Sequence, residues 1–289
     1  MKLAFITDEA TQSVPEAIAF ARAHGFDGVE LRSADEQTID QVDHAMLRQW
    51  RALLDDNGLA VCALSSSFLK CEREAGMEER EFAKLQRLCD AADILGCRVI
   101  RGFALFAPPS GPESAEVLAP LFHRPLQLLR ERGKLLALEC DPGVNTSNHA
   151  ALAALLAVLG DPHAGALYDP GNDVFDPLGE QPYPEGYEAI AGRLLHVHVK
   201  DAVRPGGKPE CVRVGDGLVD YPALLARLVA DGYDGWLSLE PHYRKGNHLT
   251  EEQMRVPQGG AFSAGGWGAV SECDEALRAL LATAEGATR

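Results

Sequence analysis

The sequence predicts an α/β fold: a single (β/α)₈ TIM barrel, one domain over residues 1–289, with a long loop after strand eight. Three observations carry this. Short, almost continuously apolar runs recur eight times, each followed by a helical pattern. That is how parallel strands covered on both faces read. Eight such units in 289 residues suit one barrel. The runner-up, a doubly wound open sheet, usually brings a glycine-rich phosphate loop after its first strand, and "ITDEATQSVPEA" has none.

The units follow in order. "LAFIT" (3–7) leads to a proline-started helix, "VPEAIAFARAHG". "GVELR" (28–32) leads to a helix over 41–57, ended by Asn57-Gly58. "AVCALSS" (60–66) leads to a helix over 78–95, ended by Gly96. "RVIRGF" (98–103) leads, through a proline-rich loop, to a helix over 114–132. "LLALEC" (135–140) precedes a helix over 148–159, and "GALYD" (165–169) a looser segment over 185–192. "LLHVHVKD" (194–201) leads to "YPALLARLVADG". "GWLSLE" (235–240) leads to the stretch Pro241–Gly268 and then a last helix over 270–284. Loops longer than about 15 residues are uncommon. This one reads as a lid, a subunit contact or a mobile segment, which leaves homo-oligomer formation open.

Composition narrows the function. Acidic residues number 43 against 27 basic ones, for a net charge of -16. That field repels polyphosphate backbones, and no run of basic residues offsets it, so nucleic acid is not an expected partner. The seven cysteines include no CxxC pair. They fit reduced thiols in a cytoplasmic protein rather than a disulfide framework. The N-terminus has an apolar run too short for a signal peptide, and no segment approaches the about 18 apolar residues of a membrane span.

Barrel active sites form at the C-terminal ends of the strands. Strand five ends with Glu139, strand six with Asp169 and strand eight with Glu240, while strand seven carries His198. Four adjacent strands thus aim four donors at one place. This mixed oxygen and nitrogen set suits one divalent ion: Mn²⁺, Mg²⁺, Co²⁺ or Zn²⁺. Three carboxylates pushed together would otherwise repel, and some would protonate. Such an ion leaves room for two oxygens of a hydroxy-ketone and would act as a Lewis acid toward the enediolate formed by proton loss.

"GFDGVELR", "LALECDPG", "LYDPGN", "HVHVKD" and "VGDGLVDYPALLARLVADGYDGWLSLEPH" resemble the xylose-isomerase-like barrel superfamily. Within it they are similar to the sugar-phosphate isomerase/epimerase group, which includes ketose 3-epimerases, hydroxypyruvate isomerase and inosose dehydratase. The resemblance implies that Glu139, Asp169, His198 and Glu240 bind one catalytic divalent metal and that Glu139 and Glu240 perform proton transfer. It implies a small carbohydrate-like substrate, and epimerisation, isomerisation or dehydration as the reaction. The sequence also departs from parts of that group. "SSSF" and "RGFA" close strands three and four without the histidines of the three-metal DNA-repair endonucleases. Asn172 stands where those endonucleases and the ketose 3-epimerases have a histidine, and Asn145 where the ketose 3-epimerases have a second acid.

Asn172, Arg204, Lys200 and His242 are the expected substrate contacts. Arg204 lies six past His198, where the ketose epimerases carry a substrate-contacting arginine; a solvated loop residue is the competing reading. Lys200 shares the strand parity of His198, and its competing role is a salt bridge to Asp201. His242 follows Glu240 by two; a surface position competes. Glu30, Arg32 and Arg101 could line the pocket floor, but the favoured expectation is that they neutralise one another as buried pairs. His196, a layer below His198, is expected to be a hydrogen-bonded core residue. Trp267, Phe103 and Phe106 could wall the site, though core or rim is the favoured reading, and Gly215–Gly217 reads as a turn.

Overall fold

The computed structural model describes residues 1–246 and 248–287. Eight parallel strands form its centre: β1 (Lys2–Phe5), β2 (Gly28–Leu31), β3 (Ala60–Phe68), β4 (Val99–Gly102), β5 (Leu135–Glu139), β6 (Ala164–Tyr168), β7 (Leu194–Val199) and β8 (Trp236–Leu239). From β2 to β8 each pairs with the next in chain order, and β8 pairs with β1. A parallel bridge between Ile6 and Glu30 closes the seam from β1 to β2. The order is that of a TIM barrel and rules out the open doubly wound sheet.

The outer helices are α1 (Val14–His24), α2 (His44–Asp56), α3 (Met77–Leu95), α4 (His123–Arg132), α5 (His149–Leu159), α6 (Tyr187–Ile190), α7 (Tyr221–Ala230) and α8 (Gly266–Ala287). Local chemistry marks their starts. The side chains of Ser13, Asp43, Asn148 and Asp220 accept from otherwise unpaired N–H groups in the first turns of α1, α2, α5 and α7. Apolar helix faces then pack on the outside of the strands in one large core. Inside the barrel, at the N-terminal end of the strands, Ala4, Cys62 and Ala63 form a small separate cluster against Trp236.

Several boundaries differ from expectation. The segment over 114–132 breaks into Ala115–Leu118, a 3₁₀ turn Ala119–Phe122 and α4. Pro120 and Pro125 each lack an N–H for a continuous helix. β7 stops at Val199, and Asp201–Val203 pairs antiparallel with Glu210–Val212 as a hairpin at the mouth. α8 begins at Gly266 rather than near 270.

The stretch after β8 carries structure of its own. Glu251–Arg255 forms a helical turn closed by a capping box between Thr250 and Gln253. Gly259–Ser263 forms another. Gly260 N donates to Glu36 Oε1 at 2.8 Å, Ser263 Oγ to the Asp8 carbonyl at 2.7 Å, and the Arg244 guanidinium to the Phe262 carbonyl at 2.6 Å. The segment is therefore pinned over the C-terminal mouth as a cover. No helix among the described residues is long and apolar enough to cross a membrane.

Candidate metal centre and active site

The strand ends bring Glu139, Asp169, His198 and Glu240 together. All four are buried, and one ligand atom from each lies within 4.8 Å of every other. His198 Nδ1 is 3.2 Å from Glu240 Oε2, 3.3 Å from Glu139 Oε1 and 4.0 Å from Asp169 Oδ2. Its other ring nitrogen, Nε2, lies 3.1 Å from Glu30 Oε1. Glu30 carries no proton to give, so Nε2–H is the donor, and Nδ1, once its own proton is displaced, would offer its lone pair to an ion among the three carboxylates. Asp169 Oδ2 is buried with no aligned hydrogen-bond donor. The donor set fits a divalent metal held by three oxygens and one imidazole.

The surrounding charges lead to the same conclusion. Arg32 reaches Glu240 at 2.6 Å and Asp8 and Glu9 each at 2.8 Å. Arg101 lies 2.9 Å from Glu139 and 3.4 Å from Glu240. Lys200 Nζ lies 2.6 Å from Asp169 and 3.2 Å from Glu240, and Arg244 lies 3.4 Å from Glu9. With Glu30 this makes six buried carboxylates against four cations. Once His198 and Asp169 have given up their protons, two negative charges remain, the amount a divalent ion offsets.

Burial and these partners set the protonation states. Burial pushes Asp169 up to about 7, against the pull of Lys200. Burial would also raise Glu139, but Arg101 outweighs it and brings the carboxyl down to about 2. The same contest, won by Lys200 and His198, leaves Glu240 well below the usual carboxylate range. Burial pulls His198 down, yet Glu30 and Glu240 drive it well above an ordinary histidine. Burial lowers His242 to about 4 despite Glu9, so its ring is neutral near pH 7.

Backbone geometry positions the candidate ligands. Asp169 Oδ1 caps the helical turn Pro170–Phe175 by accepting from Gly171 N at 2.9 Å. A Cβ on Gly171 would meet Lys200 Cγ at 2.6 Å and its carbonyl oxygen at 2.8 Å, so only glycine lets this turn lie against β7. Asn172 Nδ2 donates to the Cys140 carbonyl at 2.8 Å, tying that turn to β5. Behind it, His149 Nδ1 lies 2.8 Å from Asp173.

A cavity of about 1030 Å³ opens above the centre. Glu139, Glu240, Asn172, Lys200 and His242 border it, as do Arg32 and Arg101. Asp169 and His198 are not among the lining residues. Arg32 and Arg244 lie over the ring of Phe262, at 4.8 and 5.0 Å, so the cover seals this side of the floor.

Several expected pairings differ. Arg204 is not among the lining residues; its guanidinium donates to the Val174 and Asp176 carbonyls, pinning the loop after β6. Lys200 forms ion pairs with Asp169 and Glu240, not with Asp201. The Asp201 carboxylate instead accepts from Gly215, Gly217 and Val219 N. Gly215–Gly217 is therefore a turn folded onto that carboxylate. Glu30, Arg32 and Arg101 do not neutralise one another; they pair with the histidines and with Asp8, Glu9, Glu139 and Glu240. His242 is buried rather than on the surface, at φ 47°. His196 matches its expected role: it is buried, with Nε2 2.8 Å from Glu30. Phe103 is buried, Phe106 lines the cavity, and Trp267 packs on Phe20. Asp8, Glu9 and Ser65 were not anticipated. The signal for the first two was "TDE" directly after β1, at the same end of the barrel as the other site residues.

The family model for the xylose isomerase-like TIM barrel matches residues 18–258. Inosose dehydratase of Klebsiella pneumoniae (strain 342) is 25% identical over 265 residues, covering 81% of this chain and 83% of that protein. Among solved structures, D-allulose 3-epimerase from Methylomonas sp. superposes with a TM-score of 0.75 at 18% identity, covering 97% of this chain and 98% of the other. An L-ribulose 3-epimerase gives 0.74 at 17% identity, with 99% and 96% covered. At these identities the superpositions speak for the fold alone. The family match spans most of the barrel, from within α1 to the cover, and with it the chain belongs to the xylose isomerase-like TIM barrel family.

Proposed function

We propose that the chain is a divalent-metal-dependent isomerase or epimerase of a small keto-sugar or polyol ketone, with Glu139 and Glu240 as acid and base. The observation that carries this is the meeting of His198 Nδ1 with three carboxylates beneath a cavity that Glu139 and Glu240 border. Glu139, Asp169, His198 and Glu240 would hold the ion. When bound, it would supply Lewis acidity to the substrate carbonyl and acidify the neighbouring C–H.

The remaining chemistry belongs to the chain. Arg101 keeps Glu139 ionised and Lys200 does the same for Glu240, so either is ready to accept a proton near neutral pH. One carboxylate takes the proton, and its counterpart, after itself taking a proton from solvent, delivers that proton to the opposite face, giving the epimer. Return to the adjacent carbon gives the isomer. Arg32, Arg101 and Lys200 donate toward the oxygen on which charge develops. Asn172 and neutral His242 offer hydrogen bonds to hydroxyl groups.

The likeness to inosose dehydratase over most of the chain favours a second reading, a metal-dependent dehydratase of a keto-polyol or related cyclic hydroxy-ketone. The same base would act, and a β-hydroxyl would leave as water. A panel of keto-sugars and cyclic hydroxy-ketones, incubated with Mn²⁺-loaded protein in D₂O, separates the two. Deuterium uptake beside the carbonyl without loss of water is the result expected. An ultraviolet enone band would favour the dehydratase. Metal-loaded protein that does neither would contradict both.

A further inference from the structure

We infer that the substrate carries an apolar or aromatic group beyond its hydroxy-ketone head, seated in the outer half of the cavity; this rests on the function proposed above. The two ends of the cavity differ in chemistry. Its floor is polar and built from strand ends. There Ser65 Oγ is a buried hydroxyl with no hydrogen-bond partner, and Arg244 Nε is a buried donor likewise unpartnered. Both suit the oxygens of a polyhydroxy head.

Beside charged side chains such as Lys70, Glu72, Lys208 and Glu210, the outer walls carry an apolar patch drawn from three segments. Phe106 comes from the loop after β4 and Phe175 from the end of the turn after Asp169. Leu249, Met254, Val256 and Pro257 come from the cover. Val256 is 49% exposed despite its apolar side chain. Three segments distant in sequence therefore turn apolar side chains to one mouth. The cover also reaches the far wall, where the Arg255 guanidinium lies 5.0 Å from the Phe106 ring centroid. At about 1030 Å³ the cavity is at the upper end of the range that encloses a drug-sized ligand. A free monosaccharide, bearing a hydroxyl on nearly every carbon, would satisfy the floor and leave the walls wet. An attached apolar group removes that surface from water.

The test compares 5-O-methyl-D-xylulose with 5-O-benzyl-D-xylulose. They share an open-chain hydroxy-ketone head and differ only in the appended group. Binding to the Mn²⁺-loaded protein is measured by calorimetry, and deuterium uptake in D₂O is followed on the same samples. The benzyl compound is expected to bind at least about tenfold more tightly. Phe106→Ala and Met254→Ala should each shrink that ratio below about threefold. Equal binding of the two compounds, no binding of either, or a preference untouched by both substitutions would overturn the inference. The proton-transfer reading fails separately: a benzyl preference without exchange in either compound counts against that reading and leaves the substrate class standing. Exchange with equal binding does the reverse.

Discussion

Glu30 Oε1 lies 3.1 Å from His198 Nε2, across the barrel from strand two to strand seven, and this contact turns His198 Nδ1 toward Glu139, Asp169 and Glu240. The second Glu30 oxygen holds His196 at 2.8 Å. One buried carboxylate thus orients the proposed ligand histidine, His198, and the packing histidine beneath it, His196. Carboxylates behind metal-bound histidines set the tautomer and raise ligand basicity. Glu30→Gln keeps the shape and removes the charge. Its Mn²⁺ affinity, measured by titration calorimetry, should fall about 10- to 100-fold while the circular dichroism spectrum is retained. Unchanged affinity would remove Glu30 from this role.

Metal binding should release protons. Glu30 and Glu240 raise His198 well above its ordinary value, and Asp169 stands at about 7. Both raised groups therefore hold protons in the metal-free protein as pH falls through 7. An incoming divalent ion must displace them. Glu139, at about 2, contributes none in this range. Affinity should therefore weaken below pH 7 and strengthen above it. Calorimetry in buffers of different ionisation enthalpy should report release of about one to two protons at pH 7. Zero release would contradict the protonation states argued above.

Lys200 offsets Asp169 and Glu240 at 2.6 and 3.2 Å. Lys200→Met leaves both buried carboxylates short of a cation. The metal-free variant should lose about 3 kcal/mol of stability in a urea titration. Saturating Mn²⁺ should then raise its melting temperature by more than it raises that of the unmodified protein, because the ion replaces the missing charge. A metal-free variant as stable as the parent would show that the pair carries no such strain.

Arg204 braces the loop after β6 rather than the cavity. Arg204→Ala should cost about 1 kcal/mol of stability and change KM little. A large rise in KM with stability unchanged would restore the sequence-based expectation of a substrate contact.

Much of this arrangement is legible in the sequence because two periodicities survive folding. The eight apolar runs mark the eight strands, and a polar residue at or near the end of four consecutive runs marks the candidate site. What escaped is partner choice between strands far apart in the chain. Arg32 and Arg101 look able to pair with Glu30, yet each lies closer to other carboxylates once the ring closes. The pairing of Lys200 with Asp201 was avoidable, since adjacent strand residues point to opposite faces. His242 could be read as a substrate contact or as a surface residue, because nothing local shows the cover folding back over it. The break over 114–132 was readable from Pro120 and Pro125, whose missing N–H groups outweigh the helical spacing around them.

The central claim is a single divalent ion held by Glu139, Asp169, His198 and Glu240, and equilibrium dialysis against Mn²⁺ at pH 7.5 tests it most directly. The protein should bind one ion per chain, and His198→Ala, retaining its circular dichroism spectrum, should bind none over the same concentration range. No uptake by the unmodified protein, or undiminished uptake by His198→Ala, would contradict the account.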